Sequence, residues 1–150
     1  VSVNLADELT SIVTRATADD WRAAITLAGD GLVAGGVATE DYTREMIETV
    51  EEHGSYIVIA PGLALAHARP SPAVLKTGLS WVGLDTPVEF GHPTNDPVRL
   101  VIGLAATDHD GHIAIMAALA QALVDPVRRE RLADAADADE VRALLADDSH

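Results

Sequence analysis

Six histidines, His53, His67, His92, His109, His112 and His150, are the candidate reactive groups of this chain. Imidazole titrates near neutrality, and one ring nitrogen can attack an electrophile while a hydrogen bond holds the other. There is no cysteine, which excludes thiolate catalysis, disulfides and Cys-ligated metal centres. His67 closes the apolar run Leu63–Ala66, and the guanidinium of Arg69 follows two residues on. His112 stands directly after the strongest strand pattern of the chain, at the start of a helical one. If those two strands end at one sheet edge, the two imidazoles can face each other, and ligands of open α/β sheets collect at such edges. The unpaired N–H groups in the first turn of a helix attract anions. Two imidazoles, a helix start and Arg69 would together cradle a phosphoryl group. No divalent ion is obligatory when the donor is itself a phosphoramidate, so no cofactor is expected.

Blander readings compete at each position. His67 could merely close a strand. Asp108, His109, Asp110 and His112 include metal-ligand types, but their spacing matches no standard loop and the EF-hand pattern fails after Gly111. No metal site is therefore expected. His53 precedes the helix-ending Gly54 and suits a C-terminal dipole partner. His92 lies in a Gly/Pro loop, where a structural or solvated role is expected. His109 belongs by context to an exposed loop and could assist His112. The terminal His150 carries no inference. Gly-x-Gly-x-x-Gly, P-loop and Gly-x-Ser-x-Gly patterns do not occur, so neither a nucleotide-dependent kinase nor a serine hydrolase is supported.

The elements that must position these residues alternate between helix and strand. Val1–Thr17 is weakly patterned and compatible with strand, helix or coil. Asp19 or Asp20 caps a helix whose apolar face is Trp21, Ala24, Ile25, Ala28 and Leu32; Gly29 and Gly31 weaken it and Gly35-Gly36 ends it. Thr39 caps a second helix, with Tyr42, Met46, Ile47 and Val50 on its buried side, and Gly54 ends it. Tyr56–Ala60 reads as a strand, Pro61-Gly62 as a turn and Leu63–Ala66 as another strand. Lys76–Leu84 is a core strand, Asp85-Thr86-Pro87 a turn and Val88–Phe90 a brief strand or bulge. Gly91–Pro97 is a polar loop. Val98–Ala106 is a strand with a near-continuous apolar run from Leu100, suited to cover on both faces. Helices follow from about Ile113, from Pro126 behind the cap Asp125, and over Asp139–Ala146. The expected fold class is α/β, a mixed sheet flanked by helices on both faces, in one layered domain spanning residues 1–150. The sheet is expected to be mixed because the link from His67 to Lys76 is too short for a helical crossover.

Composition bounds the function. A 48 % apolar fraction in 150 residues can enclose a proper core, and aromatics at 3 % leave it to Ala, Val, Leu and Ile. The net charge is −14, with 24 acidic against 10 basic residues. Such a surface repels nucleic acid and anionic lipid and favours a basic protein partner. No apolar stretch is long enough to span a membrane, and Val1–Arg15 lacks a signal-peptide pattern, so a cytoplasmic location is expected.

Tyr56-Ile-Val-Ile-Ala-Pro-Gly-Leu-Ala-Leu-Ala-His-Ala-Arg-Pro70 resembles the active-site segment of the enzyme IIA components of the bacterial sugar phosphotransferase system. The likeness is to the mannitol/fructose type, nearest its ascorbate branch. Phe90–Val98 and Leu104–Ile113 resemble two further family segments, in the same order. The resemblance implies a phosphocarrier that takes a phosphoryl group from the small carrier protein HPr and passes it to a cysteine of a cognate enzyme IIB. Enzyme IIB then phosphorylates sugar entering through the permease IIC, so contact with the membrane is indirect. By the same resemblance His67 is the phosphoryl-bearing residue and His112 the second active-site histidine; Arg69 belongs to the ascorbate-like motif, and we expect it to bind the phosphate in their company. The alternative is a nitrogen-type regulatory relative that binds targets according to its phosphorylation state. Pairing with a second copy is left open. Two positions depart from the family pattern: Ala66 stands where a proline is usual, which would leave the backbone at His67 less rigid, and Glu51 stands where the mannitol branch has an arginine.

Overall fold

The computed structural model describes residues 9–54, 57–68, 71–123, 125–135 and 137–146. Among these residues, five strands, β1 (Leu9–Ala16), β2 (Val58–Ala60), β3 (Leu63–Ala66), β4 (Gly78–Val88) and β5 (Val98–Ala105), form one sheet in the order β1-β4-β5-β3-β2. The β1/β4 and β3/β5 pairs are parallel, whereas β4/β5 and β2/β3 are antiparallel. The sheet is therefore mixed. The link between β3 and β4 needs no helix because these strands run in opposite directions, with β5 between them.

Alternation along the strands sends different side chains to the two faces. Ala64, Ala66, Val82, Val101 and Ala105 join the core beneath α1 (Trp21–Ala34) and α2 (Glu40–His53). Leu63, Leu65, Leu79, Trp81, Leu100, Ile102 and Leu104 join the core beneath α3 (His109–Leu123), α4 (Pro126–Ala133) and α5 (Ala138–Ala146). Helices thus cover both faces, as the apolar runs imply. Each enclosed Leu or Ile contributes roughly 1.5–3 kcal/mol. A one-residue slip of β5 would exchange a row of large side chains for one containing Gly103, so the register is strongly specified.

The face with small side chains lets α1 lie close to the sheet. The Ser80 hydroxyl, fully buried, donates to the Ala28 carbonyl of α1 at 2.6 Å. Gly29 and Gly31 are where α1 meets its neighbours: a Cβ at Gly29 would collide with the Thr43 side chain of α2, and one at Gly31 would lie 2.8 Å from Ser80 Cβ. Their low helix propensity is offset by this close packing, and the helix continues to Ala34. Of the two candidate caps for α1, Asp20 is the one used, its carboxylate accepting from Ala23 N at 2.9 Å. Thr39 occupies the cap position of α2 without a side-chain capping bond.

Apart from shifts of one or two residues at element ends, three features differ from or sharpen the sequence expectation. The weak N-terminal pattern resolves into strand β1 from Leu9 onward. Asp85-Thr86-Pro87 does not form a turn and instead belongs to one long strand, β4. The ladder to β5 steps from Gly83↔Leu100 to Val88↔Val98, so residues 84–87 arch out of it, while Leu84 pairs with Ala16 of β1. A proline is tolerated there because no ladder bond to β5 is required of it. Finally, α3 starts at His109, ahead of the expected Ile113.

Candidate functional site

Because β3 and β5 are parallel, their C-terminal ends share one sheet edge, and their last paired residues are Ala66 and Gly103. His67 follows β3 directly. Beyond β5 the chain turns at Asp108, whose carboxylate caps α3 by accepting from Gly111 N at 2.6 Å. The Asp108 carbonyl accepts from His112 N at 3.2 Å, which fixes His112 as the fourth residue of α3. The two imidazoles meet edge to face, with ring centroids 5.3 Å apart. The short link from β5 to the Asp108 cap therefore brings the helix start back over the end of β3.

The electronics of His67 follow from its surroundings. Its Nδ1–H donates to the Leu65 carbonyl at 2.8 Å, two residues back on its own strand. The proton is thereby held on Nδ1, and Nε2 carries the in-plane lone pair. The ring is half-buried. Burial pushes its pKa below the ordinary 6.5, and the Leu65 hydrogen bond opposes this only in part. At neutral pH His67 is accordingly an uncharged imidazole with a nucleophilic nitrogen. Ala66 is fully buried and paired with Gly103, so the ladder holds the backbone entering His67 where a proline ring is absent.

Sequence reasoning placed Tyr42 on the buried side of α2 and gave it no further part. Its hydroxyl reaches the site: it accepts from Ala68 N at 3.0 Å and donates to the Leu104 carbonyl at 2.7 Å, with the Ala68 carbonyl at 3.2 Å. The one available signal was chemical, since a buried tyrosine hydroxyl must find a partner. Thr77 also borders this edge, its hydroxyl accepting from Thr107 N at 3.3 Å.

The remaining candidates lie elsewhere or outside the described residues. Arg69 and His150 fall outside them, as does the expected start of a strand at Tyr56. His92 is structural: its Nδ1 accepts from Thr94 N at 3.1 Å and Asn95 N at 3.0 Å. The loop it stabilises precedes β5 and thus occupies the opposite end of the sheet from His67. His53 ends α2, as expected. Glu51 is ion-paired with Arg22 of α1 at 2.8 Å. Among the described residues, no group of three or more His, Asp or Glu side chains is placed to hold a metal ion. Among the same residues, no helix is long and apolar enough to cross a membrane.

With this geometry in view, comparison with known proteins is specific. Residues 8–148 match the family described as phosphoenolpyruvate-dependent sugar phosphotransferase system, EIIA 2. The chain is 45 % identical over 102 residues to the ascorbate-specific PTS system EIIA component of Escherichia coli strain K12, a match covering 68 % of this chain and 66 % of that protein. That is just under two thirds of the relative's length. The fold superposes on the solution structure of the mannitol-specific cryptic phosphotransferase enzyme IIA CmtB of Escherichia coli with a TM-score of 0.84, at 30 % identity, covering 97 % of this chain and 99 % of the other. It also superposes on the IIA protein in a complex of mannitol enzyme IIA with phosphorylated enzyme IIB from Escherichia coli, with a TM-score of 0.81, at 31 % identity, covering 92 % and 95 % of the two chains. The chain belongs to the EIIA 2 family of the phosphoenolpyruvate-dependent sugar phosphotransferase system.

Proposed function

We propose that this chain is a cytoplasmic phosphocarrier enzyme of a sugar phosphotransferase system, with residues 1–150 acting as one domain. It takes a phosphoryl group from phospho-HPr on His67 and passes it to a cognate enzyme IIB. The observation that carries this reading is the pairing of His67 with His112, the Leu65 carbonyl holding the proton of His67 on Nδ1. Family membership supports the phosphotransferase activity, and the solved complex of a related IIA protein with phosphorylated IIB supports the acceptor.

In the transfer, the Nε2 lone pair of His67 attacks phosphorus as the P–N bond to the donor imidazole breaks. The donor ring leaves with that electron pair. Positive charge develops on the His67 ring, and the Leu65 carbonyl opposite Nδ1–H stabilises it. His112, on the first turn of α3, supplies a hydrogen bond to the phosphoryl oxygens, and Arg69 is assigned to the same anion from its place in the sequence. In the second half of the cycle a IIB thiolate attacks phosphorus, and the P–Nε2 electron pair returns to His67.

The test is incubation with phosphoenolpyruvate, enzyme I and HPr, followed by intact-mass measurement. One phosphate, labile in acid and stable in base, is expected on the wild type and absent from His67→Ala. Full phosphorylation of His67→Ala would refute the assignment.

A further inference from the structure

We propose that Tyr42 is a positioning residue for phosphoryl transfer, its hydroxyl setting the separation between the strand end that carries His67 and the strand that leads to His112. This inference rests on the phosphocarrier reading and deepens it. The β3/β5 ladder stops at Ala66↔Gly103. In that register His67 would next face Leu104, and Ala68 would face Ala105. Instead the Tyr42 hydroxyl enters between the diverging chains and bonds both, Ala68 N at 3.0 Å on one side and the Leu104 carbonyl at 2.7 Å on the other. A side chain of α2 thus substitutes for the missing ladder bonds, and the strands splay around it. The two imidazoles meet just beyond the last β3/β5 pair, at this end of the sheet.

The constraint acts on His67 from both sides. The Leu65 carbonyl orients its ring, and the Tyr42 hydroxyl anchors the residue that follows it. Tyr42 is 1 % exposed, so it cannot touch a phosphoryl donor or a partner protein. Any effect on transfer must pass through the placement of His67 against His112. Rates of in-line transfer are sensitive to displacements well below an ångström, and a shift of about 1 Å costs up to a hundredfold.

Tyr42→Phe keeps the ring and removes only the hydroxyl. Val50→Ala, on the same buried side of α2 and eight residues further along it, about 12 Å from Tyr42, is a control that loosens the core away from that hydroxyl. Each variant is treated with potassium phosphoramidate, a small phosphoryl donor needing no protein partner, and His67 phosphorylation is followed by intact mass. Imidazole 15N shifts of His67 and His112 are recorded in parallel. Tyr42→Phe is expected to reach the wild-type extent of phosphorylation at least roughly tenfold more slowly, with displaced His67 shifts. Val50→Ala is expected to react at the wild-type rate despite a lower melting temperature. A Tyr42→Phe rate within twofold of wild type, or an equal slowing in Val50→Ala, would overturn the inference. Should Tyr42→Phe fail to fold, 4-aminophenylalanine at position 42 keeps the ring and a donor toward the Leu104 carbonyl but is a poor acceptor from Ala68 N, its lone pair being delocalised into the ring, and is judged by the same rate criterion. A wild type that accepts phosphate from phosphoramidate but not from phospho-HPr overturns the carrier reading, and the Tyr42 inference is still judged by its own rates. A wild type that accepts it from neither overturns both.

Discussion

The rings of His67 and His112 stand 5.3 Å apart with their planes inclined at 61°. Such an edge-to-face pair directs the edge of one imidazole toward the other, which suits unequal roles, with one ring attacking and the other supplying a hydrogen bond. His112→Ala is therefore expected to fold and to accept phosphate on His67, but more slowly by roughly 10²–10³, the usual loss for one oriented donor. Its melt should change little, because a partly exposed residue in the first turn of α3 contributes little to the core. Transfer kinetics from phospho-HPr measured beside a thermal melt check both halves. A wild-type rate in His112→Ala would mean that His67 acts alone.

A second expectation concerns encounter. The net charge of −14 favours approach of a basic partner face. The second-order rate of transfer from phospho-HPr should fall as salt is raised from about 10 mM to 1 M, over which the Debye length shrinks from about 30 to about 3 Å. The rate with phosphoramidate should not follow the same curve, because a small donor has no extended charged face to steer. A salt-independent protein–protein rate would count against steering.

The segment Phe90–Val98 separates family resemblance from site chemistry. The Asp96 carboxylate accepts backbone N–H bonds from Phe90, Gly91 and His92, at 2.7–3.1 Å. This pins a loop that leads into β5 at the end away from His67, about 25 Å along an eight-residue strand. Asp96→Ala should lower stability by roughly 1–3 kcal/mol through those lost bonds. It should leave His67 phosphorylation unchanged at temperatures well below the melt. Urea denaturation and the intact-mass assay measure the two quantities, and a selective loss of transfer would give this loop a functional part.

How far the sequence discloses this arrangement depends on whether the deciding contacts are local. The pattern of Leu63–Ala66 ending on His67, and of Val98–Ala105 followed by Asp108 and His112, carries its own period and punctuation, so both strand ends can be read directly. That they share an edge is a condition the sequence leaves open and the parallel pairing of β3 with β5 supplies. Tyr42 could not be read in this way, because its partners Ala68 and Leu104 lie 26 and 62 residues away. The glycines of α1 misled for the same reason. Propensity marks Gly29 and Gly31 as weak points, whereas Thr43 and Ser80, supplied by other elements, occupy the space a side chain would need. Asp85-Thr86-Pro87 has turn composition but remains extended, because Leu84 pairs with β1 while this stretch leaves the β5 ladder.

The state of His67 also predicts how stability depends on pH. Burial lowers its folded-state pKa below 6.5, so below pH 6.5 the unfolded chain takes up a proton that the folded chain still refuses. The neutral ring's contribution to stability is thus fully present above about pH 6.5. It is lost progressively as pH falls from there through the folded-state value, and below that the loss levels off. His67→Gln cannot titrate, so the difference in unfolding free energy between wild type and His67→Gln should be flat above pH 7 and decline on acidification through this window. The same sign governs reactivity. Only the uncharged ring has an Nε2 lone pair, so acceptance of phosphate from phosphoramidate should persist below pH 6.5 and fail only at the lower folded-state pKa. Urea titrations at a series of pH values, with rates measured on the same samples, test both. A stability difference that grows on acidification, or a rate that already halves above pH 6.5, would show that the His67 ring is more basic in the folded chain than its burial implies.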